Sequence, residues 1–275
     1  MTSFTVSAGF LRSARAAGLL RTVAGAECVY GAFREPLTGE LRCLVEHAEP
    51  RLLRDLSPLL DLVREEIPGC AAVLARTLPR QDVDRRLRPF LTYLRRAGRA
   101  GDGAAPRDDR RTDGEIRVTG ITDECAERVA EWLARAFVDG TADHGAACEP
   151  AAARDMARQT LDDPACRTFV AWLGPVPVGH ATVNREAFDD PSGVDFVDLL
   201  DVLVEPGARH TGAGRRLVRA CAELADAAGL PLVGNVVHPA SPEGLLRSEG
   251  VVADLRSRGW EPAFAYRYLP IVPVV

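Results

Sequence analysis

The sequence predicts an α+β protein, with a mixed twisted sheet flanked by helices, preceded by a small, mainly helical α+β N-terminal domain. Three observations carry the prediction. Beyond residue 115, stretches of strand-like and helix-like periodicity succeed one another. Two adjacent strand-like runs flank G-P-V-P, a natural hairpin turn. A third apolar run, at 194–204, enters a glycine-rich turn and then an amphipathic helix. Residues 98–114, G-R-A-G-D-G-A-A-P-R-D-D-R-R-T-D-G, have almost no side chain able to join a core. They are expected to form a linker between a domain at 1–97 and a second at 115–275.

In the first domain, E-C-V-Y-G-A-F (27–33) and L-R-C-L-V-E (41–46) flank the turn-prone R-E-P-L-T-G and predict a hairpin. Helical periodicity follows at 51–67 and again at 82–96, where Val83, Leu87, Phe90, Leu91 and Leu94 fall on one face. In the second domain a strand is expected at 115–119. Helices are expected at 123–137, capped by Thr122 or Asp123, and at 151–161. Strands at 166–174, 177–183 and 194–204 come next, then a helix at 212–228, a strand at 231–237, a helix at 245–258 and a strand at 263–271.

Composition narrows the function. All 34 basic residues are arginines, which excludes Schiff-base chemistry on a lysine. Residues 114–275 hold 15 Arg against 24 Asp plus Glu. That acidic balance argues against nucleic-acid binding there and leaves room for a cationic small molecule. The seven cysteines are scattered with no C-x-x-C pair, and together with the five histidines they form no metal-ligand spacing, so no metal is expected. No stretch has the length and apolarity of a membrane span or signal peptide, so no membrane association is expected and the cytoplasm is the expected location.

The turn at 204–217 reads V-E-P-G-A-R-H-T-G-A-G-R-R-L. As a nucleotide P-loop it has Gly207 and Gly212 at the right spacing, but Ala213 and Gly214 stand where Lys and Ser/Thr belong. As a dinucleotide fingerprint it matches at Gly212 and Gly214 and fails at Leu217. As an acyl-CoA turn it has every part: glycines that let backbone N–H groups approach a pyrophosphate, a helix N-terminus, and arginines at 209, 215 and 216.

With Arg209, Gly212 and Gly214 at the places of Gln/Arg-x-x-Gly-x-Gly/Ala, the chain resembles the GCN5-related N-acetyltransferase (GNAT) family over about 115–269. The resemblance implies acetyl-CoA as cofactor. It also implies that backbone groups of Val202, Leu203 and Val204 line the pantetheine arm, and that the amides of His210, Thr211, Gly212, Ala213, Gly214 and Arg215 surround the pyrophosphate, beside Arg209. Ser248 falls where the family often has Asn, near the arm. The activity implied is direct N-acetyl transfer to an amine of a small molecule; the alternative is a cofactor-binding sensor that has lost its chemistry.

Direct transfer needs a group to take the amine's proton. Asp201 and Asp198 in the apolar strand are candidates, and so is His180 in the strand before it. A spacing of three puts the two aspartates on opposite faces of a regular strand, so only one is expected to reach the acceptor. The family's L-Y-x-x-L-G-F ending is D-L-R-S-R-G-W here, with Leu255 in place of the usual acid tyrosine. Either Tyr266 or Tyr268 on the final strand is expected to replace it, or the CoA thiolate is expected to leave without help. The first domain is expected to close over the acceptor, to mediate assembly as a homodimer, or to be a second acyltransferase half that has lost its glycine turn.

Overall fold

The computed structural model describes residues 3–96 and 116–271. The expected linker at 98–114 lies outside the described residues.

The first segment begins with helix α1 (Ala8–Ala16), capped by Ser7, whose hydroxyl accepts from the Phe10 N–H. Strands β1 (Leu20–Val23) and β2 (Ala26–Arg34) form a tight hairpin, with Ala24 and Gly25 both at positive φ. The expected second hairpin pairs β2 with β3 (Leu41–Ala48). The helical pattern at 51–67 becomes α2 (Pro50–Arg54) and α3 (Ser57–Glu66), which cross to β4 (Ala72–Thr77), a strand parallel to β3.

The pattern at 82–96 is not a helix. It forms β5 (Arg88–Arg96), hydrogen-bonded on both edges. Pro89 removes a donor that a helix interior needs, and pairing on both sides satisfies the backbone more fully than an isolated turn of helix would. With five strands and three helices, this region is mixed rather than mainly helical.

The second segment follows the expected order: β6 (Ile116–Gly120), α4 (Asp123–Asp143), α5 (Pro150–Asp162), β7 (Cys166–Leu173), β8 (Val176–Asp189) and β9 (Val194–Val204). After a 3-10 turn at Pro206–Thr211 come α6 (Ala213–Ala228), β10 (Leu232–Val237), α7 (Pro242–Ser257) and β11 (Trp260–Pro270). No helix among the described residues is long and apolar enough to cross a membrane.

One eleven-stranded sheet runs through both segments, in the order β1-β2-β3-β4-β11-β5-β10-β9-β8-β7-β6. β11 enters the sheet between β4 and β5, and β5 lies between β11 and β10. About the antiparallel β5–β11 pair the two sides repeat one another. Each has a hairpin whose second strand crosses through helix to a parallel neighbour: β2–β3 to β4 on one side, β8–β9 to β10 on the other.

Apolar clusters fill both faces. Leu217, Cys221 and Ala225 of α6 pack on Val197, Val183 and Leu232, while Val129, Trp132 and Leu133 of α4 cover Val170 and Trp172. Phe4, Phe196, Val233 and Phe264 form a smaller cluster, with Phe196 and Val233 on the sheet face away from α6.

Candidate active site

β9 and β10 pair only from Val197↔Leu232 to Leu199↔Gly234. Past Leu199, β9 stays bonded to β8, from Asp201↔Thr182 to Val204↔Gly179, while its other edge has no strand against it. Val202 and Val204 therefore present backbone N–H and C=O groups to an open wedge in the sheet, whereas Leu203, in step with Glu205, whose N–H bonds the Val178 carbonyl, faces β8. Gly179 lets β8 come this close: a Cβ there would lie 2.4 Å from the Leu203 carbonyl oxygen.

The wedge leads to the glycine turn. Gly212 has φ +81°, a left-handed conformation that suits glycine, and α6 begins at the next residue. The amides of Ala213, Gly214 and Arg215 open the helix, where N–H groups have no intrahelical acceptor. The Thr211 hydroxyl is turned inward to the Ala208 carbonyl (2.6 Å), which fixes the loop. Arg209, His210 and Arg215 are exposed. Arg216 is turned away, donating to the Ile116 carbonyl at 3.0 Å. The turn thus has the donors and the fit for a pyrophosphate.

Ser248 lines a cavity of about 310 Å³ between the end of β10 and the start of α7, with Val236 and Val237. Its hydroxyl already donates to the Leu245 carbonyl and meets His238 Nδ1, each at 2.8 Å.

The candidate acid–base groups lie on the sheet face beneath α4. Asp198 pairs with Asn184 and Asp201 with Thr182, but Leu199 pairs with Val183, so Leu200 is an extra residue in β9. Asn184 and Thr182 share a face of β8, so their partners do too. The opposite-face expectation for Asp198 and Asp201 is therefore wrong: the bulge brings both to one side.

Burial pushes the Asp198 carboxyl up to about 6. Its Oδ1 has no hydrogen-bond partner among the described residues. His180 is fully buried. Its ring lies parallel to that of Trp132, with centroids 5.7 Å apart, and Nδ1 is 3.2 Å from the Thr182 hydroxyl, which is 2.9 Å from that of Thr168. His180 Nε2 lies 3.1 Å from Asp201 Oδ2, a contact whose angles fall short of a hydrogen bond, so both atoms lack a partner. His180 is thus shut off from solvent beside Asp201.

Two residues of this site were not singled out in the sequence. Trp132 Nε1 donates to Glu205 Oε1 at 2.6 Å, tying α4 to the residue just before the turn. Glu205 heads E-P-G, so its position beside the turn was a usable signal; the inward face of α4 marked Trp132 only as core. Among the tyrosines, the Tyr266 hydroxyl donates to both carboxylate oxygens of Glu46, at 3.0 and 3.1 Å, and burial with that carboxylate raises its pKa far above the usual range. Tyr268 stacks on Phe90, with Arg88 over its other side.

The wedge between two parallel strands thus opens onto a glycine-bearing helix N-terminus in an α+β fold. Residues 126–240 match the model of the acetyltransferase (GNAT) family. Two solved structures share the fold over nearly the whole chain. A GCN5-related N-acetyltransferase from Sphaerobacter thermophilus is 14% identical, with TM-score 0.52 over 91% of this chain and 78% of that one. A GCN5-related N-acetyltransferase from Kribbella flavida is 13% identical, with TM-score 0.50 over 96% of each chain. Both alignments are too long to be confined to the second segment, so the strand arrangement of the first belongs to the shared fold. No curated protein matches the sequence.

Proposed function

We propose that this protein is an acetyl-CoA-dependent N-acetyltransferase that acts directly on the amine of a small molecule. The observation that carries the reading is the wedge between β9 and β10. It opens at one end on the Gly212 turn and has Asp198 and Asp201 together on the face beneath α4. Bound acetyl-CoA would supply an activated thioester. The amides of His210 to Arg215 hold its pyrophosphate, with Arg209 alongside, and the open edge at Val202 and Val204 hydrogen-bonds the pantetheine amides as a strand would. Ser248 bounds the cavity beside the arm by shape, because its hydroxyl is already committed.

Asp198 takes the proton that the acceptor ammonium must lose before attack. A carboxyl titrating at about 6 is a better match to an amine at neutral pH than an ordinary carboxylate. Asp201, oriented by His180, attracts the ammonium into the site. Leu255 has no proton to give and Tyr266 is held by Glu46, so neither protonates the departing sulfur. No protein acid is required for a thiolate whose parent thiol titrates at about 8.5. The acidic composition of the second segment favours a cationic acceptor, and the seven unpaired cysteines suit the cytoplasm.

The missing acid also favours a second reading, an acyl-CoA sensor without transferase activity. One experiment separates the two: mass spectrometry of a pool of small amines incubated with acetyl-CoA and the protein, beside calorimetric titration of acetyl-CoA into the parent and Gly212→Asp. The enzyme reading expects acetylated product from the parent. It also expects a loss of acetyl-CoA affinity in the variant of about a hundredfold, from a strained backbone and a carboxylate set against phosphate. Binding without product from any amine leaves the sensor, and equal binding by both proteins removes the cofactor assignment.

A further inference from the structure

A second cavity, of about 210 Å³, lies on the other side of α7 from the proposed cofactor arm, between that helix and strands β5 and β11. Its walls include Pro89, Thr92, His238, Glu249, Val252 and Arg267. Nothing in the proposed transfer uses it.

Arg267 is the unusual member. Three other sheet arginines have a carboxylate, Arg42 with Glu40, Arg76 with Asp189 and Arg95 with Glu261, and Arg88 lies over the Tyr268 ring. Arg267 is half-buried in β11, and its guanidinium makes no hydrogen bond or ion pair with any described residue. Burial alone pulls its pKa down, with no carboxylate near enough to offset it. A guanidinium held this way loses part of its hydration without recovering it from the protein, a cost that a bound anion would reduce.

The other polar groups in the wall are committed to one another. The Ser248 hydroxyl donates to the Leu245 carbonyl, so a neutral His238 donates to Ser248 through Nδ1 and accepts from the Thr92 hydroxyl at Nε2, each contact at 2.8 Å. Burial lowers the His238 pKa, which keeps the ring neutral. Arg267 is therefore the donor left to a ligand. One planar fork suits a carboxylate. A phosphate dianion would ask for a second cation, and the second charged wall residue is the Glu249 carboxylate. Val252, Pro89 and Ala265 supply an apolar lining for a short hydrocarbon chain.

We propose that this cavity binds a small organic carboxylate, with its apolar end against Val252 and its carboxylate on Arg267, at a site separate from that of acetyl transfer.

The test is calorimetric titration of the full chain with isocaproate, L-leucine, isoamylamine and inorganic phosphate. Isocaproate and L-leucine share the carboxylate and the branched chain, and differ in the ammonium that Glu249 would meet. Binding of either one is expected, weakened about tenfold or more in Arg267→Gln, with acetyl-CoA affinity the same in both proteins. Val252→Phe, which keeps the guanidinium and fills the space, is expected to abolish the same binding. The proposal is overturned if neither carboxylate binds, if Arg267→Gln binds it as the parent does, or if phosphate or isoamylamine binds in its place.

Discussion

A carboxyl group shut off from water holds its proton until the pH is high enough to force a charge into the protein, and Asp198 is such a group. Its pKa of about 6 in the fold stands above an ordinary 3.8. Between those values the unfolded chain has lost the proton and the folded chain has kept it, so stability falls as pH rises through that window and is lower above it. The difference is worth roughly 3 kcal/mol. A base must be ionised to work, so the rate rises across the same pH that costs stability. Asp198→Asn is therefore expected to lower kcat by about a hundredfold or more and to remove the acid limb near pH 6 from the pH profile of kcat/KM. Acetyl-CoA affinity should be unchanged, and stability relative to the parent should be greater at pH 8 than at pH 4. A variant that keeps the limb near 6 would take the base assignment away from Asp198. The sequence marked this residue as an acid in an apolar strand, but strand parity separated it from Asp201. The bulge at Leu200 that reunites them has no sequence signature, because it is set by pairing across to β8.

At the scale of elements, legibility followed the locality of the cause. The glycine turn, the helix it begins and the strands at 166–173 and 194–204 rest on residues close in the chain, and each lies where periodicity and turn chemistry put it. β5 was missed because its helical spacing is real, while the partners that make it a strand, β10 and β11, lie more than a hundred residues away in the chain. Pro89 was the local warning. The wedge shows the same division: Gly212 is visible in a motif, whereas Gly179 reads as an ordinary glycine near a hairpin. Its role is tertiary, since β9 lies so close that a methyl group would overlap the Leu203 carbonyl oxygen. Gly179→Ala is expected to push the strand edge at Val202 and Val204 out of line, raising the acetyl-CoA dissociation constant about tenfold and lowering stability by about 2 kcal/mol. Calorimetry and thermal melting read the two effects, and a variant indistinguishable from the parent would mean that the edge is not positioned by this contact.

At the scale of the whole molecule, the repeat about β5 and β11 gives a physical account of the first segment. After β3 the chain reads Glu49-Pro50, as it reads Glu205-Pro206 after β9, and a helix follows in both places. No glycine follows Pro50, and at the start of α3 the Asp84 carboxylate accepts from the Leu56 N–H at 3.1 Å while pairing with Arg86. An internal carboxylate thus sits where the other side offers free amides to a phosphate, which fits a half that keeps the architecture without the cofactor. What it contributes is β5, whose Leu94 belongs to the core under α6. Without β5, β10 and β11 lose the strand that joins them and each exposes an edge, a route to aggregation rather than to a smaller stable sheet. Residues 116–271 expressed alone are therefore expected to be insoluble or unfolded, and co-expression with residues 1–96 to restore them. The intact chain should unfold in one cooperative step. All three tryptophans, at 132, 172 and 260, lie in the second segment, so their fluorescence follows that segment while far-ultraviolet circular dichroism follows both. Coincident denaturant transitions by the two probes are the expected result. Two separated transitions, or a soluble 116–271 fragment that binds acetyl-CoA by itself, would mean that the exchanged strands decorate an independent domain rather than complete it.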